Sequence, residues 1–158
     1  MPWLPDDFHA TIVSAERIIE KEFGISPAVP VYLCSLDELK DAVLGELEGT
    51  NFNAAQIESV KKYYLNRIIG KFFRETKEIW LLEGKGDNLG TLVHELLHSI
   101  QKCAPNIENI VDYLTYKLTG SSSAILQEVL SDWSEIERLH SYGRIKRRLI
   151  TEGDCEEF

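Results

Sequence analysis

The chain has 158 residues, of which 44% are hydrophobic and 27% charged, and its formal net charge is -9 at pH 7. This length and composition predict one globular domain over residues 1–158 that can bury a core of its own. The acidic balance argues against a general nucleic-acid surface, which needs a basic excess. No apolar run approaches the roughly 20 residues that a membrane span requires.

The three cysteines, Cys34, Cys103 and Cys155, are widely spaced and include no CxxC pair. We therefore expect neither a disulfide framework nor a cysteine zinc site. The N-terminal residues lack the charged and apolar regions of a signal peptide. The sequence thus predicts a cytoplasmic protein with no nucleic-acid or membrane partner, and it does not indicate the oligomeric state.

Capping residues and hydrophobic periodicity predict the first elements. An apolar stripe indicates a helix over about Asp7–Phe23, which Gly24 ends. Alternating apolar residues between positions 29 and 33 predict a short strand. Ser35 and Glu38 form a capping box for a second helix that runs to about Leu47.

A third helix and a hairpin are predicted before the middle of the chain. Asn53 caps the helix, which is expected to continue to position 70. KFFRET and EIWLLE are two β-prone runs joined by polar residues around Thr76–Lys77, which predicts an antiparallel hairpin. Asp87 or Asn88 then caps a helix that extends to about Cys103.

The C-terminal part is predicted to be helical. NIENIVDYLTYKL indicates a helix ending at Thr119–Gly120, and the serines at 121–123 can cap a long helix that stops near Gly143. A short basic helix follows, with Arg144–Arg148 as its solvated face, and GDCEEF is expected to be a disordered acidic tail. The fold class is α+β, mostly helical, with a small antiparallel sheet next to the helix capped at position 88.

That helix contains HELLH, which runs from His94 to His98. Histidines four residues apart share one helix face, so both imidazoles can reach one tetrahedral zinc ion, and Glu95 can take a proton from a metal-bound water. The apolar residues of this helix cluster in one arc, and both histidines lie roughly 150° from its centre. Core histidines would share the apolar arc, whereas a pair of merely exposed histidines stays open until a third ligand is found.

A third ligand has to come from elsewhere, because the HExxHxxGxxH extension is absent after His98. Glu128 is the better candidate, with Asp132 one helical turn later at the edge of an apolar arc. Like charges at this spacing mildly destabilise a helix. The pair is explained if Glu128 binds a cation and Asp132 accepts a hydrogen bond from a ligand imidazole. A solvated acidic edge is the alternative.

HELLH followed by a helix with EVLSD resembles the gluzincin metallopeptidases, the thermolysin-like clan with an ExxxD glutamate helix. The chain is most similar to the small soluble minigluzincins, and the matching residues span about half of it. The resemblance implies a zincin-like fold and Zn2+ bound by His94, His98 and Glu128. It also implies that Glu95 is the catalytic base and that Asp132 orients His94. Finally, it implies that an edge strand holds an extended peptide substrate, and we assign that strand to Ile79, Trp80, Leu81 and Leu82.

The expected reaction is hydrolysis of peptide bonds through a metal-activated water, with Glu95 as general base. Such an enzyme also needs an oxyanion donor. His140 lies about 18 Å from Glu128 along a straight helix, so Tyr113 and Tyr116 are the candidates, with a core role for at least one of them as the alternative.

Three other hypotheses stay open at this point. The protein could be a regulatory peptidase that cleaves one repressor-type partner, although no helix-turn-helix is evident. It could be a zinc-stabilised interaction module without turnover, which would leave Glu95 unexplained. An enzyme kept latent by a Cys155 thiolate on the zinc ion is the third hypothesis.

Overall fold

The protein is described from a computed structural model, in which residues 2–49, 51–104, 108–120, 137 and 140–155 are placed. The helices are a 3-10 turn at Asp6–Phe8, α1 (His9–Phe23), α2 (Leu36–Glu48), α3 (Ala54–Tyr63), α4 (Leu89–Ile100), α5 (Glu108–Thr119) and α6 (Tyr142–Leu149). The strands are β1 (Val31–Cys34), β2 (Gly70–Phe73), β3 (Glu78–Leu82), β4 (Cys103–Ala104) and β5 (Gly153–Asp154). The α+β class and the helical majority are confirmed.

The larger sheet has three strands in the order β1–β3–β2. β2 and β3 form the predicted antiparallel hairpin, with Phe72 opposite Ile79. β1 pairs with the other side of β3 in parallel, with Val31 opposite Ile79. The expectation of a purely antiparallel sheet is therefore wrong. The connection from β1 to β3 contains α2, α3 and β2, and a crossover of this length is what a parallel pair needs.

Helices cover both faces of this sheet. On one face, apolar residues of β1, β2 and β3 pack with α1 and α4, and the fully buried members include Ala15, Ile19, Ile79, Leu81, Leu92, Val93 and Leu97. On the other face, a second buried cluster joins the sheet to α2 and the segment after α3: Cys34, Leu39, Val43, Leu65, Ile68, Phe73 and Leu82. The helix that carries HELLH therefore lies against the sheet and α1, and α5 packs on its remaining side.

Several predicted helix ends are confirmed, and two are wrong. Gly24 ends α1 in a left-handed conformation with φ 67, and capping boxes begin α2 and α3. The third helix ends at Tyr63 instead of position 70, because the chain turns there and buries Leu65 and Ile68 in the second cluster. The HELLH helix ends at Ile100 instead of Cys103, since residues 103–104 leave the helix to form β4.

The C-terminal segment differs most from its expected structure. β5 pairs in parallel with β4, and Cys155, which is 1% exposed, forms a disulfide with Cys103. The expectation of disorder is therefore wrong for residues 153–155, and one disulfide forms although the sequence predicted no disulfide framework. The two cysteines are 52 positions apart in the sequence, so only the tertiary fold brings them together. A Cys155 sulfur in a disulfide is not a thiolate, which removes the basis of the latency hypothesis.

None of the helices in the described ranges is long and apolar enough to cross a lipid bilayer.

Candidate metal centre

α4 is held in a fixed position by its cap and its apolar face. Asn88 begins the helix by accepting a hydrogen bond from the Thr91 backbone N–H at 2.8 Å, as one of the two predicted caps. The leucines and the valine of α4 are buried against α1 and the sheet. The two histidines consequently face α5, and their ring centroids lie 4.9 Å apart. The predicted orientation of HELLH is confirmed.

Glu108, the first residue of α5, faces both histidines. Its Oε2 lies 3.0 Å from His94 Nε2, and its Oε1 lies 3.0 Å from His98 Nε2. One ligand atom from each of the three side chains falls within 4.8 Å of the others, and within the described ranges this is the one His/Cys/Asp/Glu group that could hold a metal ion. Two imidazoles and one carboxylate are an ordinary donor set for zinc.

The geometry at His98 fits a shared ion better than a direct hydrogen bond. His98 Nε2 is buried and has no hydrogen-bond partner of acceptable geometry, although it lies 3.0 Å from Glu108 Oε1. A buried nitrogen without a hydrogen bond is costly. An ion between the two atoms would remove that cost, so the residues present fit a bound cation.

Each histidine also has a partner for its second ring nitrogen. His94 Nδ1 lies 3.0 Å from Asp112 Oδ1, and His98 Nδ1 lies 3.2 Å from Gln101 Oε1. An ionised carboxylate only accepts hydrogen bonds, so Asp112 fixes the proton of His94 on Nδ1. The Nε2 lone pair is then directed to the metal position, as in the outer shell of many zinc sites.

The charges of the cluster support one another. Burial lowers the pKa of His94, but its hydrogen bonds with Asp112 and Glu108 outweigh burial and raise the pKa to about 10. Partial removal of Glu108 from water raises its pKa, yet the two histidines, each 3.0 Å from one of its oxygens, outweigh this and hold the pKa well below the ordinary value. The carboxylate of Glu108 is therefore ionised, and a cation that binds His94 Nε2 would displace a proton from this imidazole.

Glu95 lies beside this cluster in a buried position. It is 5% exposed, and its Oε2 has no hydrogen-bond partner among the residues that the structure describes. Burial raises the pKa of Glu95, while the charges of the two histidines oppose that rise. Its side chain adjoins the start of β2, where a Cβ on Gly70 would lie 3.5 Å from Glu95 Cγ. A carboxylate with a raised pKa next to a metal position is suited to accept and return a proton.

Comparisons with known proteins identify no similar protein. No protein-family model matches the sequence, and searches of curated proteins and solved structures return no match. The site is therefore interpreted from its own geometry.

Of the predicted site residues, the structure brings His94, Glu95 and His98 together. Glu128 and Asp132 lie outside the described residues. Glu108 and Asp112 were not predicted; on α5 they lie 3.0 Å from the histidine nitrogens, where Glu108 could bind a metal ion and Asp112 could orient His94.

The sequence contains a pattern that indicates Glu108 and Asp112. ENIVD has the same ExxxD spacing as EVLSD, and it lies on the helix that follows the motif helix directly. Helices joined by a short connection tend to be neighbours in space. That tendency favours Glu108 over an acid further along the chain.

The predicted position of the substrate strand is wrong. Ile79–Leu82 belongs to β3, which is the central strand, with β1 and β2 paired to its two sides. A central strand has no free backbone groups for an added peptide. Among the described residues, β2 is the strand of this hairpin that has one unpaired side, and α4 packs beside it.

The predicted oxyanion donors have different surroundings. Tyr113 is 1% exposed, and its hydroxyl donates to Glu137 Oε1 at 2.7 Å. Tyr116 is 38% exposed and lies eight residues beyond Glu108, which is roughly 12 Å along α5. Tyr64 was not predicted. It is 44% exposed, and its partial removal from water, followed by the charges of Glu95 and Glu108, raises the pKa of its phenol.

Proposed function

We propose that the protein is a zinc-dependent peptidase of zincin-like architecture. The observation that carries the proposal is the convergence of His94, His98 and Glu108 on one position beside the buried carboxylate of Glu95. When bound there, zinc would acidify a water molecule and polarise the carbonyl of a scissile peptide bond. His94 and His98 would hold it through Nε2, and Glu108 through its carboxylate.

The exposure of the three ligands supports a catalytic site over a structural one. The His98 and His94 side chains are 7% and 20% exposed, whereas that of Glu108 is 66% exposed. The ion position is therefore closed on the side of α4 and open beside Glu108. Structural zinc sites are normally closed by four protein ligands, and catalytic sites keep one position for water or substrate.

Glu95 supplies the acid–base chemistry. Its unpaired Oε2 can accept a proton from the attacking water, and the raised pKa lets the carboxyl return that proton to the leaving amine. A non-catalytic zinc module would gain nothing from an unpaired carboxylate at this place. Burial of such a group is costly, which favours a role in turnover.

β2 is the best candidate for the substrate strand. The Leu82 backbone N–H donates to the Ile69 carbonyl, and Gly70 lies opposite Leu81. In an antiparallel ladder this register turns the backbone groups of Gly70 and Phe72 to the outer side of β2. An extended peptide could add there as a further strand. Its backbone would then pass beside Glu95, because the start of β2 adjoins that side chain.

The Glu95→Gln variant tests the proposal. The amide keeps the shape of the side chain but cannot accept the proton, so we expect zinc binding at the wild-type stoichiometry and loss of peptide cleavage. Both are measured on the full chain, by metal analysis and by mass spectrometry of a broad peptide library. Equal cleavage by the two proteins would refute the role of Glu95. Zinc binding without cleavage by the wild type would favour the interaction module, and cleavage confined to one folded protein partner would favour the regulatory peptidase.

A further inference from the structure

Gln101 connects the metal centre to the disulfide. It follows α4 directly and is 9% exposed. Its Oε1 lies 3.2 Å from His98 Nδ1, while its Nε2 donates to the Cys103 carbonyl at 2.9 Å and to Cys155 Sγ at 3.4 Å. Both ends of one buried amide are thus engaged, one with a predicted metal ligand and the other with both cysteines.

The backbone carbonyl fixes the orientation of this amide. A carbonyl oxygen can only accept a hydrogen bond, so the NH2 group of Gln101 has to face Cys103. The amide oxygen then has to face His98, and it can only accept. His98 consequently carries its proton on Nδ1 and keeps a lone pair on Nε2, the atom that faces Glu108.

The disulfide holds Cys103 and Cys155 in place beside the Gln101 NH2 group. β4 and β5 pair over two residues each, and Cys155 N–H adds one bond to the Ala104 carbonyl at 3.1 Å. So short a ladder is weak by itself. The covalent link between Cys103 and Cys155 therefore keeps both hydrogen-bond acceptors of the Gln101 NH2 group at their positions.

We propose that Gln101 is a positioning residue for the metal centre, and that the Cys103–Cys155 disulfide fixes Gln101, so that breaking the disulfide weakens metal binding. The inference rests on the proposed metal site. In the reductive step, a dithiol supplies two electrons and two protons, the S–S bond breaks, two cysteine thiols form and the dithiol becomes a disulfide. The amide of Gln101 is then free to rotate away from His98.

The first test measures zinc affinity of the full chain by competition with a chromophoric chelator. Gln101→Leu should bind zinc roughly 10–100-fold more weakly, the usual effect of losing an outer-shell partner. Gln101→Glu keeps an acceptor toward His98 but sets a carboxylate oxygen against the Cys103 carbonyl, so its zinc affinity should lie between those of Gln101→Leu and the wild type. Ser99→Ala is the matched control, because the Ser99 hydroxyl donates to the Leu96 carbonyl at 2.6 Å within the same helix and touches no ligand.

The disulfide is tested with a Cys103→Ser/Cys155→Ser double variant, which leaves no new thiol to bind zinc. Its zinc affinity should fall by a factor similar to that of Gln101→Leu, and combining the double variant with Gln101→Leu should add little further loss. Full additivity of the two losses, or wild-type affinity in the double variant, would overturn the connection between the disulfide and the site.

A second readout separates positioning from general destabilisation. In the zinc-loaded wild type, the Nδ1 proton of His98 should exchange slowly in 15N-resolved NMR spectra, and Gln101→Leu should accelerate that exchange. Unchanged exchange, or wild-type zinc affinity in Gln101→Leu, would overturn the proposal while leaving the metal site intact. Failure of the wild type itself to bind zinc would instead overturn the proposed function.

Discussion

Replacement of Glu108 by glutamine has a specific expected result. Its two carboxylate oxygens each lie 3.0 Å from a histidine Nε2, and an amide would present an NH2 group at one of those positions and remove the negative charge. Structural zinc sites bind with about 10–16 kcal/mol. Divided equally among four ligands, this binding free energy is roughly 2.5–4 kcal/mol per ligand. We therefore expect Glu108→Gln to bind zinc roughly 10²–10³-fold more weakly than the wild type.

The assay is competition of each variant with a chromophoric chelator, at fixed pH because the ligands bind metal in their deprotonated state. Glu128→Gln is the matched control, since Glu128 begins the second ExxxD after HELLH. We expect Glu128→Gln to retain wild-type affinity. The opposite pattern, with tight binding by Glu108→Gln and weak binding by Glu128→Gln, would refute the assignment of the third ligand to α5.

Three further predictions concern the reaction, the cysteines and the fold. We propose Tyr64, whose phenol is influenced by the charges of Glu95 and Glu108, as the oxyanion donor; Tyr64→Phe should then lower kcat roughly 10²–10³-fold, with KM nearly unchanged and Tyr63→Phe as the control. A thiol reagent should find no reactive cysteine in the native protein and one in the denatured, unreduced protein, because burial raises the pKa of Cys34 to about 11 and the other two cysteines form the disulfide. Gly86→Ala should lower the free energy of unfolding by roughly 1–3 kcal/mol, because a Cβ at this position would lie 1.8 Å from a backbone oxygen. Gly45→Ala should raise it by roughly 0.5–1 kcal/mol, because Gly45 lies inside α2 with open space around it. Thermal or urea unfolding measures both changes.

Each of these predictions has a result that contradicts it. Equal kcat values for Tyr64→Phe and Tyr63→Phe would exclude a role for the Tyr64 hydroxyl. Three titratable thiols in the denatured, unreduced protein would show that the disulfide does not form. A Gly86→Ala protein as stable as Gly45→Ala would contradict the close approach of the chain at position 86.

Much of the local structure follows from the sequence because it depends on neighbouring residues. The capping boxes at Ser35 and Asn53, the hairpin turn near Lys77 and the face of HELLH all arise from interactions within a few positions. The orientation of the histidines is of this kind, since helical periodicity alone separates them from the apolar arc.

The remaining features depend on contacts that no local pattern encodes. After HELLH the sequence contains ExxxD twice, and only the packing of α5 on α4 places Glu108 against the histidines. The parallel pairing of β1 with β3 requires a crossover. The disulfide joins cysteines 52 positions apart, and disulfides persist mainly in oxidising compartments. The cytoplasmic location predicted from the sequence therefore stays a prediction.

Crystals grown with zinc and measured at the zinc absorption edge would locate the bound ion. We expect one anomalous peak at about 2.0–2.2 Å from His94 Nε2, His98 Nε2 and a carboxylate oxygen of Glu108, with Glu95 beside it and outside the ligand set. A peak bound by other residues, or the absence of a peak at this position, would contradict the metal centre and the peptidase proposal that depends on it.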